Sequence, residues 1–444
     1  METLAAALTA CAGGPLRGRV QPPGDKSVSH RALILGLLCV GETEIEGLLE
    51  GADVLHTAAS CAELGAKLER RGKGRWRVRG CGIGSLLSPR APLDFGNSAT
   101  GMRLMMGVAG GHAITATFDG DASLRKRPMR RILDPLCAMG AEVLSQSPGG
   151  RCLILLKGTS EPVPVEFSPS VASAQIKSAV LLAGLNSPGR TTVIEAEATR
   201  NHTEKMLNYF GASIETEPFA KHGQKITLEG RPDLRPARVI VPSDPSSAAF
   251  PLVAATIVPR SDIVIEGMMM NPLRTGLLTT LREMGAHIDI LDRRAEGGEE
   301  VGDLRVRAAP LKGVDVPAAR APSMIDEYPI LAIAAAFASG ETRMRGLAEL
   351  RVKESDRLSA MADGLRQAGV AYQIAGDDLI VDGRAGDVVG GGMVATRLDH
   401  RIAMSFLCLG LASRRPMAID DSRMIATSFP EFQTLMEQLG ARFQ

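Results

Sequence analysis

Aromatic side chains make up only 3% of this 444-residue chain, with one Trp and three Tyr. Its core must therefore be packed by aliphatic and small side chains, and the 48 glycines and a hydrophobic share of 45% agree with that. Charge of one sign is also missing. Lys+Arg 51 against Asp+Glu 50 leaves a net charge of +1, so no global field draws the chain to nucleic acid or to an anionic bilayer. No apolar run approaches the roughly 20 residues of a membrane span. Neither a nucleic-acid partner nor a membrane is expected.

The seven cysteines (Cys11, Cys39, Cys61, Cys81, Cys137, Cys152, Cys408) are odd in number and never spaced C-x-x-C. That excludes a disulfide framework and a zinc finger as readings, and free thiols point to a reducing, cytoplasmic compartment. The segment Leu8-Thr9-Ala10-Cys11 resembles a lipoprotein cleavage site, yet Glu2 precedes it, Lys and Arg do not, and no secretory signal is expected. Histidines never pair at helical metal-ligand spacing, so no metal is expected.

What the chain does have is a repeat. A helical segment ending in Gly and a small residue, followed by strand-like alternation, recurs at Gly65, Gly140, Gly211, Gly285, Gly369 and Gly440, with spacings of 75, 71, 74, 84 and 71 residues. Glycine fits there because a helix commonly ends in the left-handed conformation, which costs glycine little. A second element keeps the same period. Short loops lead into small-residue helices at PGDKSVSH, FGNSATGM, SVASAQIK, PSDPSSAA, PSMIDEYP and RLDHRIAM. The expected fold is α/β, with six repeats arranged three per domain. Expected boundaries are residues 22–239 for the first domain, and 1–21 plus 240–444 for the second, whose last repeat takes its missing strand from the N-terminus.

The loop-to-helix starts also suggest chemistry. The unpaired N–H groups and the positive dipole end of each helix favour anions, and six of them gathered on facing surfaces would make an anion-binding cleft. In PPGDKSVSHR, Lys26 lacks the earlier glycine of a nucleotide-binding P-loop, so an NTPase is set aside. Lys26 with Arg31 instead makes a plausible clamp for phosphate or carboxylate. The basic run GDASLRKRPMRR has little aromatic interleaving, and Pro128 is expected to aim Arg127 while its neighbours are solvated. In ELRVKESDRLSAM, a helix beginning near Glu354 would bring Glu354 and Arg357 to one edge. Asp326, just before the apolar helix of PSMIDEYPILA, occupies the repeat position held by Lys26 and Arg401 in other copies. An ordinary capping role explains Asp326 alone; two carboxylates with several cations suggest proton transfer on an anionic substrate.

Seven segments in order, PGDKSVSHR, LDFGNSATGMR, GDASLRKRPM, SAQIKSAVLLAGL, APSMIDEYPILA, LRVKESDRL and LDHRIAMS, resemble the 3-phosphoshikimate 1-carboxyvinyltransferase (EPSP synthase) family over nearly the whole chain. The resemblance implies an inside-out α/β barrel of two domains built from βαβαββ units. It implies transfer of the enolpyruvyl group of phosphoenolpyruvate to shikimate 3-phosphate, with no cofactor. By motif, Lys26, Ser27, Arg31, Ser173, Ala174, Gln175, Arg200, Asp326 and Lys353 would hold shikimate 3-phosphate. Phosphoenolpyruvate would lie against Lys26, Asn97, Ala99, Arg127, Gln175, Glu354, Arg357 and Arg401. Lys26, Asp326 and Glu354 would be catalytic, Asp326 accepting the proton of the attacking hydroxyl and Glu354 protonating the methylene. A monomer is expected.

Two departures point to the second, glyphosate-tolerant class. Ala99 stands where many members have Gly, and Thr427 stands where many first-class members have Lys. Glyphosate is then a weak inhibitor, to a degree that Ser98, alanine in similar members, leaves open. The related UDP-N-acetylglucosamine enolpyruvyl transferases carry a loop cysteine where GDASLRKRP has none.

Overall fold

The computed structural model describes residues 6–444. They divide into two compact units: Gly24–Val241 with Glu296–Gly298, and the residues up to Pro23 with Pro242–Ala295 and Glu299–Gln444.

The first unit contains helices α1 (Lys26–Leu38), α2 (Ala52–Glu63), α3 (Ala99–Gly110), α4 (Arg130–Ala138), α5 (Ala174–Gly184) and α6 (His202–Tyr209). The second contains α7 (Pro245–Ile257), α8 (Gly276–Glu283), α9 (Tyr328–Phe337), α10 (Arg357–Gln367), α11 (His400–Gly410) and α12 (Phe432–Gln438). Odd-numbered helices are apolar nearly all round and buried, as Val28–Leu38 of α1 and the whole of α9 show. Even-numbered helices are amphipathic: α4 buries Ile132, Leu133, Pro135 and Leu136, and exposes its arginines.

Each even-numbered helix ends in a Schellman motif. Gly65, Gly140, Gly211, Gly285, Gly369 and Gly440 all have positive φ, from 72° to 113°. The residue after each glycine donates its N–H to a carbonyl five residues back, for example Ala66 to Cys61 at 3.0 Å and Ala441 to Met436 at 2.9 Å. The periodic glycine of the sequence is therefore the point where an outer helix turns into a hairpin.

All six four-stranded sheets share one order: a short strand, a parallel partner, then two antiparallel neighbours. In the sheet Leu93–Asp94, Thr115–Asp119, Arg151–Lys157, Glu142–Ser147, the first two strands flank α3 and the hairpin follows α4. The βαβαββ unit is thus six times repeated, and the architecture is the expected mixed α/β one.

Three strands break the sequential rule. Arg17–Val20, which precedes α1, pairs in parallel with Asp262–Met269, the strand after α7. Arg238–Ile240, which precedes α7, pairs in parallel with Val40–Glu46, the strand after α1. The first unit's opening sheet therefore takes its short strand from that unit's C-terminal end, and the second unit's opening sheet takes its own from the N-terminal segment of the chain. Leu8–Cys11 completes the sheet of Met393–Val394, Met417–Ile419 and Arg442–Phe443.

No helix among the described residues is long and apolar enough to cross a membrane. The cysteines among them are free.

Candidate active site

Five of the six buried helices begin with a side-chain cap from Asp or Ser: Asp25, Ser98, Ser173, Asp244 and Asp399. Glu327, before α9, makes no such cap. The residues singled out by the sequence cluster at these starts.

In the first unit, Asp25 accepts the Val28 N–H at 2.8 Å, which leaves Lys26 as the first helical residue of α1. Lys26 Nζ lies 2.6 Å from Asp53 Oδ2, a carboxylate in the first turn of α2. Sequence reasoning missed Asp53, which reads as an ordinary acidic helix start. Arg31 is buried, and its guanidinium donates to the Ser27 carbonyl at 2.9 Å, Thr203 Oγ1 at 2.7 Å and Ser178 Oγ at 2.8 Å. It therefore braces α1 against α5 and α6 while leaning over the Lys26–Ser27 turn.

At the start of α3, Ser98 caps and Ala99 is the first helical residue, 6% exposed. Asn97 bridges the neighbouring loop, donating to Asp121 Oδ2 at 2.8 Å and accepting from Arg127 at 3.0 Å. Arg127 is extended, with φ −77° and ψ 136°, the conformation a following proline favours. Its neighbours Lys126, Arg130 and Arg131 are exposed, and Arg125 pairs with Asp119. Proline thus separates one aimed cation from a solvated set. Ser173 caps α5, Ala174 is its first residue, and Gln175 accepts from Arg103 and donates to Thr100 Oγ1 at 2.9 Å. Lys26, Ser27, Asn97, Ala99, Ser173, Ala174 and Gln175 thus all sit at or beside the N-terminal ends of α1, α3 and α5; Arg200 follows the strand Arg190–Glu195 in the loop before α6.

In the second unit, Arg357 is the hub. Helix α10 begins at Arg357, not at Glu354, because Asp356 is the cap. Arg357 is 1% exposed and reaches three carboxylates: Asp399 Oδ2 at 2.8 Å, Asp326 Oδ1 at 3.2 Å and Glu354 Oε2 at 2.6 Å. Burial alone would disfavour its charge, but Glu354, Asp399 and Asp326 raise its pKa beyond the ordinary arginine value. Burial likewise works against ionised Asp399, yet Arg357 and then His400 hold its pKa below the usual carboxylate value. Lys353 Nζ stands 3.5 Å from Asp326 Oδ1. Arg401 donates to the Asp326 carbonyl at 3.1 Å and lies 3.6 Å from Glu327 Oε1, itself held by Ser246. Thr427 lies in a short 3₁₀ turn and donates to the Met424 carbonyl at 2.7 Å.

The structure thus brings Asp326, Lys353, Glu354, Arg357 and Arg401 into one cluster. Asp399, which organises it, was not singled out from the sequence, although its place one residue before His400 in LDHRIAM is a cap signal. Chemically, this is two partly exposed carboxylates paired with cations, groups of a kind able to move protons beside a bound anion. Among the described residues, no group of three or more His, Cys, Asp or Glu could hold a metal ion.

Comparison with known proteins agrees over the full length. The family model described as EPSP synthase (3-phosphoshikimate 1-carboxyvinyltransferase) matches residues 11–436. A 3-phosphoshikimate 1-carboxyvinyltransferase of Methylobacterium sp. (strain 4-46) is 65% identical over 444 residues, covering 100% of this chain and 99% of the relative. One from Rhodopseudomonas palustris (strain CGA009) is 62% identical over 436 residues, covering 98% of each. The 2.37 Å structure of EPSP synthase from Acinetobacter baumannii superposes with a TM-score of 0.89 at 39% identity, covering 99% of both chains. With six βαβαββ units and 62% to 65% identity over nearly the whole length of these relatives, the chain belongs to the EPSP synthase (3-phosphoshikimate 1-carboxyvinyltransferase) family.

Proposed function

We infer that this chain transfers the enolpyruvyl group of phosphoenolpyruvate to the 5-hydroxyl of shikimate 3-phosphate, releasing phosphate, as a step of the shikimate pathway. The observation that carries this is full-length membership of the family together with the intact set of motif residues. In the addition, the hydroxyl oxygen bonds to C2 of phosphoenolpyruvate while a proton joins C3. In the elimination, phosphate leaves C2 and a C3 proton is returned. Atoms balance without a redox step or a further co-reactant.

The assignment of residues is ours. Lys26, Ser27, Arg31, Ser173, Ala174, Gln175, Arg200 and Lys353 hold shikimate 3-phosphate, with Asp326 on the reacting hydroxyl. Lys26, Asn97, Ala99, Arg127, Gln175, Arg357 and Arg401 hold phosphoenolpyruvate, with Glu354 on its methylene. What supports a proton-carrying Glu354 is its bond to Arg357. A phosphoenolpyruvate carboxylate that takes over Arg357 would release Glu354 from this ion pair, to accept and deliver a proton. Asp326 has Lys353 beside it as well as Arg357, so one cation remains next to it when phosphoenolpyruvate takes Arg357.

Isotope exchange tests the role of Glu354. In deuterated water, enzyme turnover exchanges the methylene hydrogens of phosphoenolpyruvate through the methyl intermediate. Glu354→Gln is expected to lower that exchange together with turnover, by about 10²-fold or more. Asp326→Asn, by slowing formation of the intermediate, is expected to lower exchange as well, since exchange passes through it. Exchange at the normal rate in Glu354→Gln removes the assignment of Glu354.

The chain is also read as a glyphosate-tolerant enzyme of the second class, a cytoplasmic monomer. Ala99 supports the first point, being the first residue of α3, two residues from the Asn97 that holds Arg127. An added methyl at this start clashes with an inhibitor longer than the substrate. Ala99→Gly is expected to tighten glyphosate inhibition by about tenfold, the scale of one methylene-sized change in a pocket; equal inhibition constants for the two proteins would refute tolerance through Ala99. The cytoplasmic placement is supported by the free thiols.

A further inference from the structure

The apolar run of α5 contains one lysine, Lys177, whose side chain is fully buried. An ammonium in such a core must be paired, and replacing a buried ion cluster by apolar residues is often neutral or stabilising, so stability alone gives no reason for it. Lys177 Nζ lies 2.8 Å from Glu195 Oε2 and 2.7 Å from Glu204 Oε1, and it donates to the Thr199 carbonyl at 3.4 Å. Glu195 ends the strand Arg190–Glu195 and Glu204 lies in the first turn of α6; Thr199 belongs to the loop between them.

Thr199 is held at every polar group. Its N–H donates to Glu195 Oε2 at 3.3 Å, its hydroxyl to Glu195 Oε1, and its carbonyl accepts from Lys177. That carbonyl shares a peptide plane with the nitrogen of Arg200. The direction in which Arg200 leaves the loop is therefore set by the buried cluster. One residue along α5, Ser178 accepts from Arg31 at 2.8 Å and bonds Thr203 at 2.7 Å, so the same helical turn also braces Arg31.

We propose that Lys177, Glu195, Thr199 and Glu204 form a positioning cluster that sets Arg200 for the phosphate group of shikimate 3-phosphate. This rests on the assignment of Arg200 made above. The cluster touches no substrate; it acts through the loop backbone.

The test is a double-mutant cycle on the full-length enzyme, with KM measured for each substrate. Thr199→Val keeps the side-chain shape and removes the hydroxyl, and Thr199→Ser restores it. Thr199→Val is expected to raise KM for shikimate 3-phosphate about fivefold to tenfold, the scale of a lost hydrogen bond, with KM for phosphoenolpyruvate unchanged. Thr199→Ser returns the normal value. In an Arg200→Ala background, Thr199→Val adds nothing. A normal KM for shikimate 3-phosphate in Thr199→Val, with Arg200→Ala impaired, overturns the proposal and leaves Arg200 in place. The same loss with and without Arg200 also overturns it, because the cluster is then only structural. A normal KM in Arg200→Ala overturns the assignment of Arg200 and the proposal with it.

Discussion

His400 is buried beside the Arg357 cluster, and desolvation lowers its pKa to about 4, with Arg401 pushing the same way and Asp399 and Glu354 opposing. His30, on α1, is lowered to about 3, by burial first and then by Lys26. Both are neutral in the native protein and take up a proton near pH 6.5 only on unfolding. Their contribution is thus fully present above pH 6.5 and is lost as pH falls towards their folded values. Each is expected to remove about 1.4 kcal/mol of stability per pH unit across that window. Denaturant unfolding at pH 7 to 4.5 checks this: His30→Asn should make the decline shallower, and an unchanged slope would contradict it. At this scale the sequence revealed the charged residues that stand at or just before helix starts, such as Lys26, Asp326 and Arg357. It concealed Lys177 and Asp399, whose meaning depends on partners distant in the chain, such as Glu195 and Arg357.

The repeating element was legible because its two punctuation marks are local. A cap needs Asp or Ser at one position and a Schellman turn needs glycine at another, and both recur in every or nearly every copy. The exchange of Arg17–Val20 and Arg238–Ile240 was not legible, since their patterns allow either parallel partner. Two glycines separate conformation from space. At Gly285, with φ +95°, an added Cβ meets nothing nearer than 3.6 Å, so Gly285→Ala costs only the left-handed backbone, about 1 to 2 kcal/mol. At Gly107, mid-helix in α3, a Cβ would stand 2.4 Å from the Ala179 carbonyl oxygen of α5, so helix propensity gains nothing and the two helices must part. Gly107→Ala is expected to cost about 1 to 3 kcal/mol despite alanine's preference for helix. Thermal melts compare them; a more stable Gly107→Ala protein would refute the close approach of α3 and α5.

For the whole molecule, a near-zero net charge and a scarcity of aromatics fit an enzyme of small anions whose cations are local and paired with carboxylates: Lys26 with Asp53, Arg357 with three, Arg401 with Glu327. Such pairing keeps buried cations tolerable, and their transfer to an incoming phosphate or carboxylate is the binding proposed above. The measurement that tests the function most directly is phosphate release from phosphoenolpyruvate with shikimate 3-phosphate in one reaction and UDP-N-acetylglucosamine in another, with Asp326→Ala as control. The account predicts release only with shikimate 3-phosphate, lost in the variant. Release with the sugar nucleotide, or silence with both from folded protein, would contradict it.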